Sequence, residues 1–380
     1  DVRQNFDTTV KQRGIVSEAQ WQTLFDDYSG EYPELAAQFL QSFKPVSCDL
    51  KIPISHVGES ESGRNTSQRI IGAISEQLPS FWGGSADLFS SNKTNVKTAN
   101  AYEPADRLGK NVWFGVREFA EAAAVNGMTL HGGVHPYAST FFVFSDYMRA
   151  AIRLAAIQKI PSTFVFTHDS IAVGEDGPTH EPIEQLMSFR AVPNVNVIRP
   201  ADTNEAIAAW KIALAASETP TMLVLTRQNL PTLPRTEELA AQGVQRGGYV
   251  LSPAKGSTPE GILIATGSEV QLAIAAQKQL QEAGHDVSVV SLPSFELFDT
   301  QPAEYREQVL PSNVTRRVAV EMGTSYGWEH YVGLQGKIVG INNRYGESGN
   351  PDAIMKQFGF TADNVATTYL KTVSNQPANA

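Results

Sequence analysis

The chain has 380 residues, of which 42% are hydrophobic and 18% are charged, and its formal net charge is −10. A single hydrophobic core stops growing near ~250–300 residues, so this length predicts two domains. The acidic balance argues against a nucleic-acid partner, and no apolar run approaches the ~18–20 residues of a membrane span. Cys48 is the only cysteine, which excludes a disulfide within the chain and is typical of the reducing cytoplasm.

The first 48 residues are polar and have two helical patterns. Ser17 is positioned to cap the first helix, and the second follows Pro33. These helices bury little on their own, so we interpret residues 1–48 as remnant helices and a linker from a preceding domain. The chain does not begin with Met, and we therefore expect residues upstream of Asp1.

Strand patterns then alternate with helix patterns, over residues 49–227 and again over 247–380. Residues 140–157 are predicted to form one long helix. Residues 228–246 are polar, contain two prolines, and are predicted to be the interdomain linker. Strand–helix alternation predicts the α/β class, here with two parallel-sheet domains.

The loop F-T-H-D-S-I-A-V-G-E-D-G-P-T-H-E-P (166–182) carries the strongest chemical signal. An apolar run enters it, a helical run leaves it, and two glycines and a proline interrupt regular structure. Such a loop lies beyond the carboxyl end of a strand, where ligands bind in α/β sheets. Its imidazoles and carboxylates suit a polyhydroxylated substrate, whereas the alternative is a solvated loop that happens to be rich in His and Asp. The ionisable side chains are His168, Asp169, Glu175, Asp176 and His180.

Three further groups of residues are candidates for a site. Glu118 lies where a strand meets an alanine-rich helix, which would disfavour its charged form, although a helix-capping carboxylate facing water is the alternative. Phe141, Phe144 and Tyr147 are spaced by three, which is usual for a core stripe but also suits a flat ligand ring. Arg64 and Arg227 are suited to bind phosphate, although each can equally be a surface arginine.

Metal ligation has little support, because the chain lacks H-E-x-x-H and has no cysteine pair. The turn Gly267-Ser268-Glu269 follows a strand and opens a helix, a geometry that can hold an anion. It has no further glycines, and we interpret it as structural.

Together these segments resemble transketolase over nearly the whole chain. Related thiamine enzymes share only parts: deoxyxylulose phosphate synthase has the G-x-D-G-P-T-H end of the loop, and the β subunit of pyruvate dehydrogenase has the two-domain layout. The motifs that carry the resemblance are G-G-S-A-D-L (83–88), G-V-R-E-F (115–119), T-F-F-V-F-S-D-Y (140–147), T-H-D-S-I-A-V-G-E-D-G-P-T-H-E-P (167–182), T-R-Q-N-L (226–230) and A-T-G-S-E-V (265–270).

The resemblance implies a pyrimidine-binding domain at 49–227 and a C-terminal domain at 247–380, with the family's N-terminal diphosphate-binding domain missing. It implies that Glu118 contacts the aminopyrimidine of thiamine diphosphate, that Phe144 stacks on it beside Phe141 and Tyr147, and that Asp87 lies near the thiazolium. His168, Asp176 and His180 would bind the sugar hydroxyls and its reacting end. The residues implied around the sugar phosphate are Arg64, Ser91, His168 and Arg227.

The implied reaction transfers a two-carbon ketol unit from a ketose phosphate to an aldose phosphate, in the pentose phosphate pathway. In the family, thiamine diphosphate and a divalent metal, Mg²⁺ or Ca²⁺, lie between domains of two subunits of a cytoplasmic homodimer. We therefore expect this chain alone to bind no cofactor tightly and to be inactive. The alternatives are a non-catalytic dimerisation or regulatory module, the small subunit of a split transketolase, and a different thiamine enzyme.

Overall fold

The computed structural model describes residues 1–46 and 49–374. Cys48 and the tail after residue 374 lie outside the described residues. Among the described residues, no helix is both long and apolar enough to cross a membrane. The N-terminal part consists of exposed helices in which only Ala36 is buried. The helices are α1 (Val2–Asn5), a π-helical stretch (Phe6–Lys11), α2 (Gln12–Glu31) and α3 (Pro33–Ser42).

The first α/β domain contains a six-stranded sheet in which every neighbouring pair is parallel, in the order β3-β2-β4-β5-β7-β6. A separate antiparallel pair joins β1 to β8. The strands are β1 (Ser60–Ser62), β2 (Phe81–Ala86), β3 (Asn111–Gly115), β4 (His135–Phe141), β5 (Thr163–Thr167), β6 (Asn196–Ile198), β7 (Thr221–Leu225) and β8 (Asn229–Pro231).

Helices cover both faces of this sheet. Successive strand residues point to opposite faces, so Val165 packs in one core while Phe164 and Phe166 pack in the other. Helices α4 and α9 contribute to the first core, and α6, α7 and α8 to the second. The helices of this domain are α4 (Gly63–Gln77), α5 (Phe89–Asn92), α6 (Glu118–His131), α7 (Ser145–Gln158), α8 (Gln185–Arg190), α9 (Thr203–Ala215) and α10 (Thr236–Gln245).

The second α/β domain has a five-stranded sheet in the order β13-β12-β10-β11-β9. It is parallel except at one edge, where β9 pairs antiparallel with β11. Its strands are β9 (Tyr249–Ser252), β10 (Gly261–Ala265), β11 (Val287–Ser291), β12 (Arg317–Val320) and β13 (Lys337–Val339). Its helices are α11 (Val270–Glu282), α12 (Phe295–Asp299), α13 (Ala303–Val309), α14 (Glu329–Val332), α15 (Pro351–Gln357) and α16 (Ala362–Ser374).

The predicted α/β class with two mainly parallel sheets is confirmed, and three local predictions differ. Helix α2 begins at Gln12, so Ser17 is an internal residue and not a cap. The predicted helix over 140–157 is a strand ending at Phe141, a 3-10 turn (Phe142–Phe144) and helix α7. The interval 228–246 contains β8 and α10, which has buried residues of its own.

Candidate active site

The predicted site residues lie along the carboxyl edge of the six-stranded sheet. Asp87 comes directly after β2, His168 directly after β5, and Arg227 shortly after β7. Since these strands are parallel, their carboxyl ends meet at the same edge. Arg64 reaches this edge because the first turn of α4 is tied to the end of β7: the N–H of Arg64 donates to the carbonyl oxygen of Thr226 at 3.1 Å.

Aromatic rings and imidazoles form one contiguous wall. The Phe141 ring stacks on His168 at 3.6 Å between centroids and lies parallel to Phe144 at 6.1 Å. His180 meets the Phe144 ring edge-on at 5.4 Å, and Tyr147 lies 6.1 Å from Phe144. Phe141 is buried, whereas Phe144 is half-buried and Tyr147 is exposed, so the outer rings offer a free aromatic surface.

His168 is held by a directed chain of hydrogen bonds. The Thr167 hydroxyl donates to Asn92 Oδ1 at 2.6 Å, and Asn92 Nδ2 donates to the Ser85 hydroxyl, which donates to the Ser139 carbonyl oxygen. With its only proton given to Asn92, Thr167 accepts from His168 Nδ1 at 2.7 Å. This orientation leaves His168 Nε2 as a hydrogen-bond acceptor directed away from this series of hydrogen bonds.

The other end of the wall is cationic. Burial, and then the nearby guanidinium groups of Arg64 and Arg227 and the imidazole of His180, lower the pKa of His168 to about 3, so its ring is neutral. Burial and the charge of Arg227 also lower the pKa of Arg64, which Asp176 opposes. Arg64 Nη1 donates to the Ser91 carbonyl oxygen at 3.0 Å. The structure therefore brings Arg64, Ser91, His168, Asp176, His180 and Arg227 into one neighbourhood.

Glu118 and Asp87 lie at the opposite end of the carboxyl edge of the sheet, after the neighbouring strands β3 and β2. The N–H of Asp87 donates to the Gly115 carbonyl oxygen at 3.1 Å, and Glu118 begins α6 shortly after β3. Glu118 is half-buried, but Val116 is 76% exposed and Phe119 is 51% exposed. The apolar surroundings expected for Glu118 are therefore not closed by the described residues of this chain.

A carboxyl that the sequence analysis did not single out is fully buried one helical turn later. Glu121 Oε1 accepts from the N–H of Ser139 at 2.7 Å, while Oε2 has no hydrogen-bond partner among the described residues. Burial, with the charge of Glu118 adding to it, raises the pKa of Glu121 well above its ordinary value. The available signal was a lone acid inside the run A-E-A-A-A-V (120–125), since an acid in an apolar stripe needs a reason to be there.

The turn Gly267-Ser268-Glu269 binds a side chain of the protein itself. Arg199, which follows β6, pairs with Glu269 and with Asp169 at 2.7 Å, and it donates to the Thr266 carbonyl oxygen. The turn is structural, as the sequence analysis interprets it. Among residues 1–46 and 49–374, no group of three or more His, Cys, Asp or Glu side chains is arranged to hold a metal ion.

Two family models match the chain. Residues 60–232 match the pyrimidine-binding domain of transketolase, and residues 247–361 match the transketolase-like C-terminal domain. The transketolase of Streptococcus pyogenes serotype M6 is 53% identical over 97% of this chain, which corresponds to 50% of that protein. The chain therefore spans about half the length of the curated relatives it matches.

Solved structures give the same likeness. The Pichia stipitis transketolase in complex with sedoheptulose 7-phosphate aligns with a TM-score of 0.91 at 39% identity, covering 97% of this chain and 55% of that one. A split-gene transketolase described as an inactive β4 tetramer aligns with a TM-score of 0.67 over 83% of this chain and 99% of that one. At 24% identity, the second likeness concerns the fold alone.

Proposed function

The chain belongs to the transketolase family, and we propose that its two domains are the pyrimidine-binding and C-terminal parts of an enzyme that transfers a two-carbon ketol unit between sugar phosphates. In this proposal the complete enzyme is a cytoplasmic homodimer, and the diphosphate-binding part lies outside residues 1–380. The donor is a ketose phosphate and the acceptor an aldose phosphate.

One observation carries the proposal: an imidazole–aromatic wall and two arginines without an ion-pair partner among the described side chains share the carboxyl edge of one sheet. Phe141 stacks on His168 at 3.6 Å, and the charges of Arg64 and Arg227 both act on that same imidazole. A sugar phosphate needs both kinds of group, because hydroxyls require hydrogen-bond partners and a phosphate favours arginine forks.

The residues present fit the pyrimidine end of thiamine diphosphate. Phe144 offers a half-buried ring for stacking, and the half-buried carboxyl of Glu118 lies at the start of α6. When bound, thiamine diphosphate supplies an electron sink for the carbanion equivalent of the ketol unit. In this proposal the diphosphate and its divalent metal would be held by the diphosphate-binding part of the complete enzyme.

In the proposed mechanism, the carboxyl of Glu118 would hold a proton at a ring nitrogen of the pyrimidine. Its neighbour Asp87 would lie near the thiazolium. The exposed Val116 and Phe119 on either side of Glu118 are suited to be covered by the missing part, which would exclude water from the carboxyl.

On the sugar side, the acceptor Nε2 of a neutral His168 is suited to take a hydrogen bond from a substrate hydroxyl. His180 and Asp176 would bind the remaining hydroxyls and the reacting end. Arg64, Arg227 and the nearby Ser91 would bind the phosphate, since neither guanidinium has an ion-pair partner within 4.0 Å among the described side chains.

A second candidate is the small subunit of a split transketolase. Its motive is one of length and fold alone, since this chain covers 99% of the split-gene chain. In that case the diphosphate-binding part is a separate polypeptide. The proposed chemistry of residues 49–380 is the same.

The test is reconstitution. We expect the purified chain alone to show no ketol transfer, and we expect activity when it is mixed with the separately produced N-terminal half of the Streptococcus pyogenes transketolase. Xylulose 5-phosphate should serve as donor, and pyruvate should not. Glu118→Ala in the mixture should slow thiazolium proton exchange by about 10²-fold or more, a typical contribution of a positioned acid–base group, with a smaller effect on sugar binding.

Three outcomes would contradict the proposal. Turnover by the chain alone would show that the missing part is not needed. A preference for pyruvate would indicate a different thiamine enzyme. Failure of the mixture, and of a single chain joining the two halves, would favour a non-catalytic dimerisation or regulatory module.

A further inference from the structure

A buried carboxyl lies between the histidine loop, defined here as residues 168–183, and the C-terminal domain. Glu181 is 2% exposed, and neither of its oxygens has a hydrogen-bond partner among the described residues. The N–H groups of Gly174 and Glu347 face the carboxyl without reaching hydrogen-bond geometry. A buried carboxyl without partners is costly, so its position calls for a structural reason.

One segment of the C-terminal domain, residues 346–351, surrounds this carboxyl and the loop beside it. A Cβ on Gly346 would lie 1.6 Å from Glu181 Oε2, so a larger residue there would have to displace the carboxyl. The Ser348 hydroxyl donates to the Glu175 carbonyl oxygen at 2.7 Å, and the N–H of Gly349 donates to the Gly174 carbonyl oxygen at 3.4 Å.

The apolar residues of the histidine loop belong to the core of the C-terminal domain. Ile171, Ala172 and Ile183 are buried in the same cluster as Ile354 of helix α15. The N–H of Thr324 also donates to the Ile183 carbonyl oxygen at 2.9 Å. The C-terminal domain therefore supports both ends of the loop, and the 346–351 segment holds its middle.

We propose that the C-terminal domain determines the geometry of the sugar site by clamping the histidine loop through residues 346–351, with Glu181 as the positioning residue at the centre of the clamp. This inference rests on the proposed function, because Asp176 and His180 lie on the clamped loop. Glu181 is buried and is not one of the proposed sugar contacts. It acts by fixing the five-residue stretch that carries those two side chains.

Hydrogen–deuterium exchange in the chain as it exists tests the clamp without any cofactor or sugar. The reporters are the N–H of Gly177, bonded to the Gly174 carbonyl oxygen at 3.0 Å, and the N–H of His180, bonded to the Gly177 carbonyl oxygen at 2.9 Å. Gly346→Ala should raise their exchange rates by about tenfold, because the new methyl group displaces the Glu181 carboxyl. Gly72→Ala in helix α4, where a Cβ meets open space, is the matched control and should leave both rates unchanged.

A double variant separates the clamp from general destabilisation. In Glu181→Ala/Gly346→Ala the clash with the carboxyl is absent and the Cβ of residue 181 remains at 3.1 Å, so exchange should be close to that of Glu181→Ala alone, and the two effects should not add. Ser348→Ala is a milder variant at an exposed position and should raise exchange by about threefold through one lost hydrogen bond. Full additivity in the double variant, or unchanged loop exchange in both Gly346→Ala and Ser348→Ala, would overturn the proposal.

The pH dependence gives a second signature. Burial, and then the charges of Asp176 and Glu347, raise the pKa of Glu181 to about 7. Ionisation above that value adds repulsion inside the clamp. Loop exchange, corrected for the intrinsic rate, should therefore increase between about pH 6 and about pH 8. Glu181→Gln should remove this increase, and an increase that persists in Glu181→Gln would contradict the role of this carboxyl.

Kinetics in the reconstituted enzyme distinguish failure of the clamp from failure of the proposed function. Gly346→Ala should raise KM for the ketose phosphate by about tenfold while thiazolium proton exchange stays unchanged, because the loop bears the sugar contacts and Glu118 lies elsewhere. If the unsubstituted mixture shows no ketol transfer, the proposed function fails. Hydrogen–deuterium exchange of the loop N–H groups still tests the clamp in that case. If the reconstituted enzyme is active and Gly346→Ala changes neither KM nor loop exchange, the clamp is refuted and the proposed function is not.

Discussion

Charged side chains that lie near the carboxyl ends of the two sheets differ in whether they have ion-pair partners. In the first sheet, His168 and Arg227 follow β5 and β7, and the guanidinium groups of Arg64 and Arg227 have no ion-pair partner among the described side chains. In the second sheet, Glu269 lies just beyond β10 and Glu321 directly beyond β12, and both are fully paired.

The ion-pair partners of Glu269 and Glu321 come from the first domain. Arg190 pairs with Glu321 at 2.7 Å, and Arg199 pairs with Glu269. Thr266 and Trp328 also donate to Glu321, at 2.5 Å and 2.9 Å. A position at the carboxyl end of a parallel strand is therefore insufficient to indicate a ligand site. The distinguishing property is a charged side chain without an ion-pair partner among the described residues, as Arg64 and Arg227 are at the edge of the first sheet.

The largest effect is expected at Arg199, which follows β6 of the first sheet and pairs with Glu269 of the second domain. Arg199→Met leaves Asp169 and Glu269 buried without their cation, so the free energy of unfolding should fall by about 3–5 kcal/mol. Arg227→Met is the matched control, because Arg227 has no ion-pair partner among the described side chains. It should change the free energy of unfolding by less than about 1 kcal/mol. Urea unfolding followed by tryptophan fluorescence and circular dichroism measures both. Similar losses for the two variants would remove the distinction between the paired and the unpaired arginine.

Arg64 should affect both the pKa of His168 and the affinity for sugar phosphate. Arg64→Met removes a charge that acts on His168, so the pKa of His168 should rise from about 3, as measured by NMR titration of the imidazole in this chain. In the reconstituted enzyme, sugar-phosphate affinity should fall by about 10- to 100-fold, the usual worth of a charge-assisted hydrogen bond.

Arg69→Met provides the control for Arg64→Met. Arg69 lies on the same helix but pairs with Glu61 at 3.3 Å, away from the imidazole. It should leave the pKa of His168 and the sugar-phosphate affinity unchanged. An unaltered His168 titration in Arg64→Met would separate the arginine from the histidine loop and weaken the proposed phosphate site.

The sequence predicted the elements of both domains well where each pattern was bounded by turn residues. It failed where one apolar run crossed a boundary. Residues 140–147, T-F-F-V-F-S-D-Y, continue from β4 through a 3-10 turn into α7, and a fully buried parallel strand has no alternation to separate it from a helix. The rings of Phe141 and Phe144 nevertheless lie close together and parallel. The end of β4 and the following turn place them together, whereas the sequence predicted that helical spacing would do so.

The burial of individual carboxyls was not predictable from local sequence. Glu118 and Glu121 lie in the same alanine-rich run, yet Glu118 is half-buried and Glu121 is fully buried against the N–H of Ser139. Which acid enters the domain depends on the rotation of α6 over β4, and tertiary packing sets that rotation. The same is true of Glu181, whose enclosure comes from a segment more than 160 residues later in the chain.

Glu121 offers the smallest and most specific test of this difference between neighbouring acids. Its pKa is raised in the folded chain, mainly by burial, so the folded state binds the proton more tightly than the unfolded state, and stability falls as pH rises above the ordinary glutamate pKa of 4.5. Glu121→Gln keeps an oxygen for the N–H of Ser139 and cannot ionise. It should gain about 1 kcal/mol over the unsubstituted chain at about pH 8, and this gain should shrink as the pH falls toward about 5. Glu76→Gln, exposed on α4, should stay within about 0.5 kcal/mol throughout, since surface substitutions rarely exceed that range. A pH-independent difference for Glu121→Gln would mean that the buried acid is stabilised in its charged form, and the unpaired Oε2 would then need a partner from outside this chain.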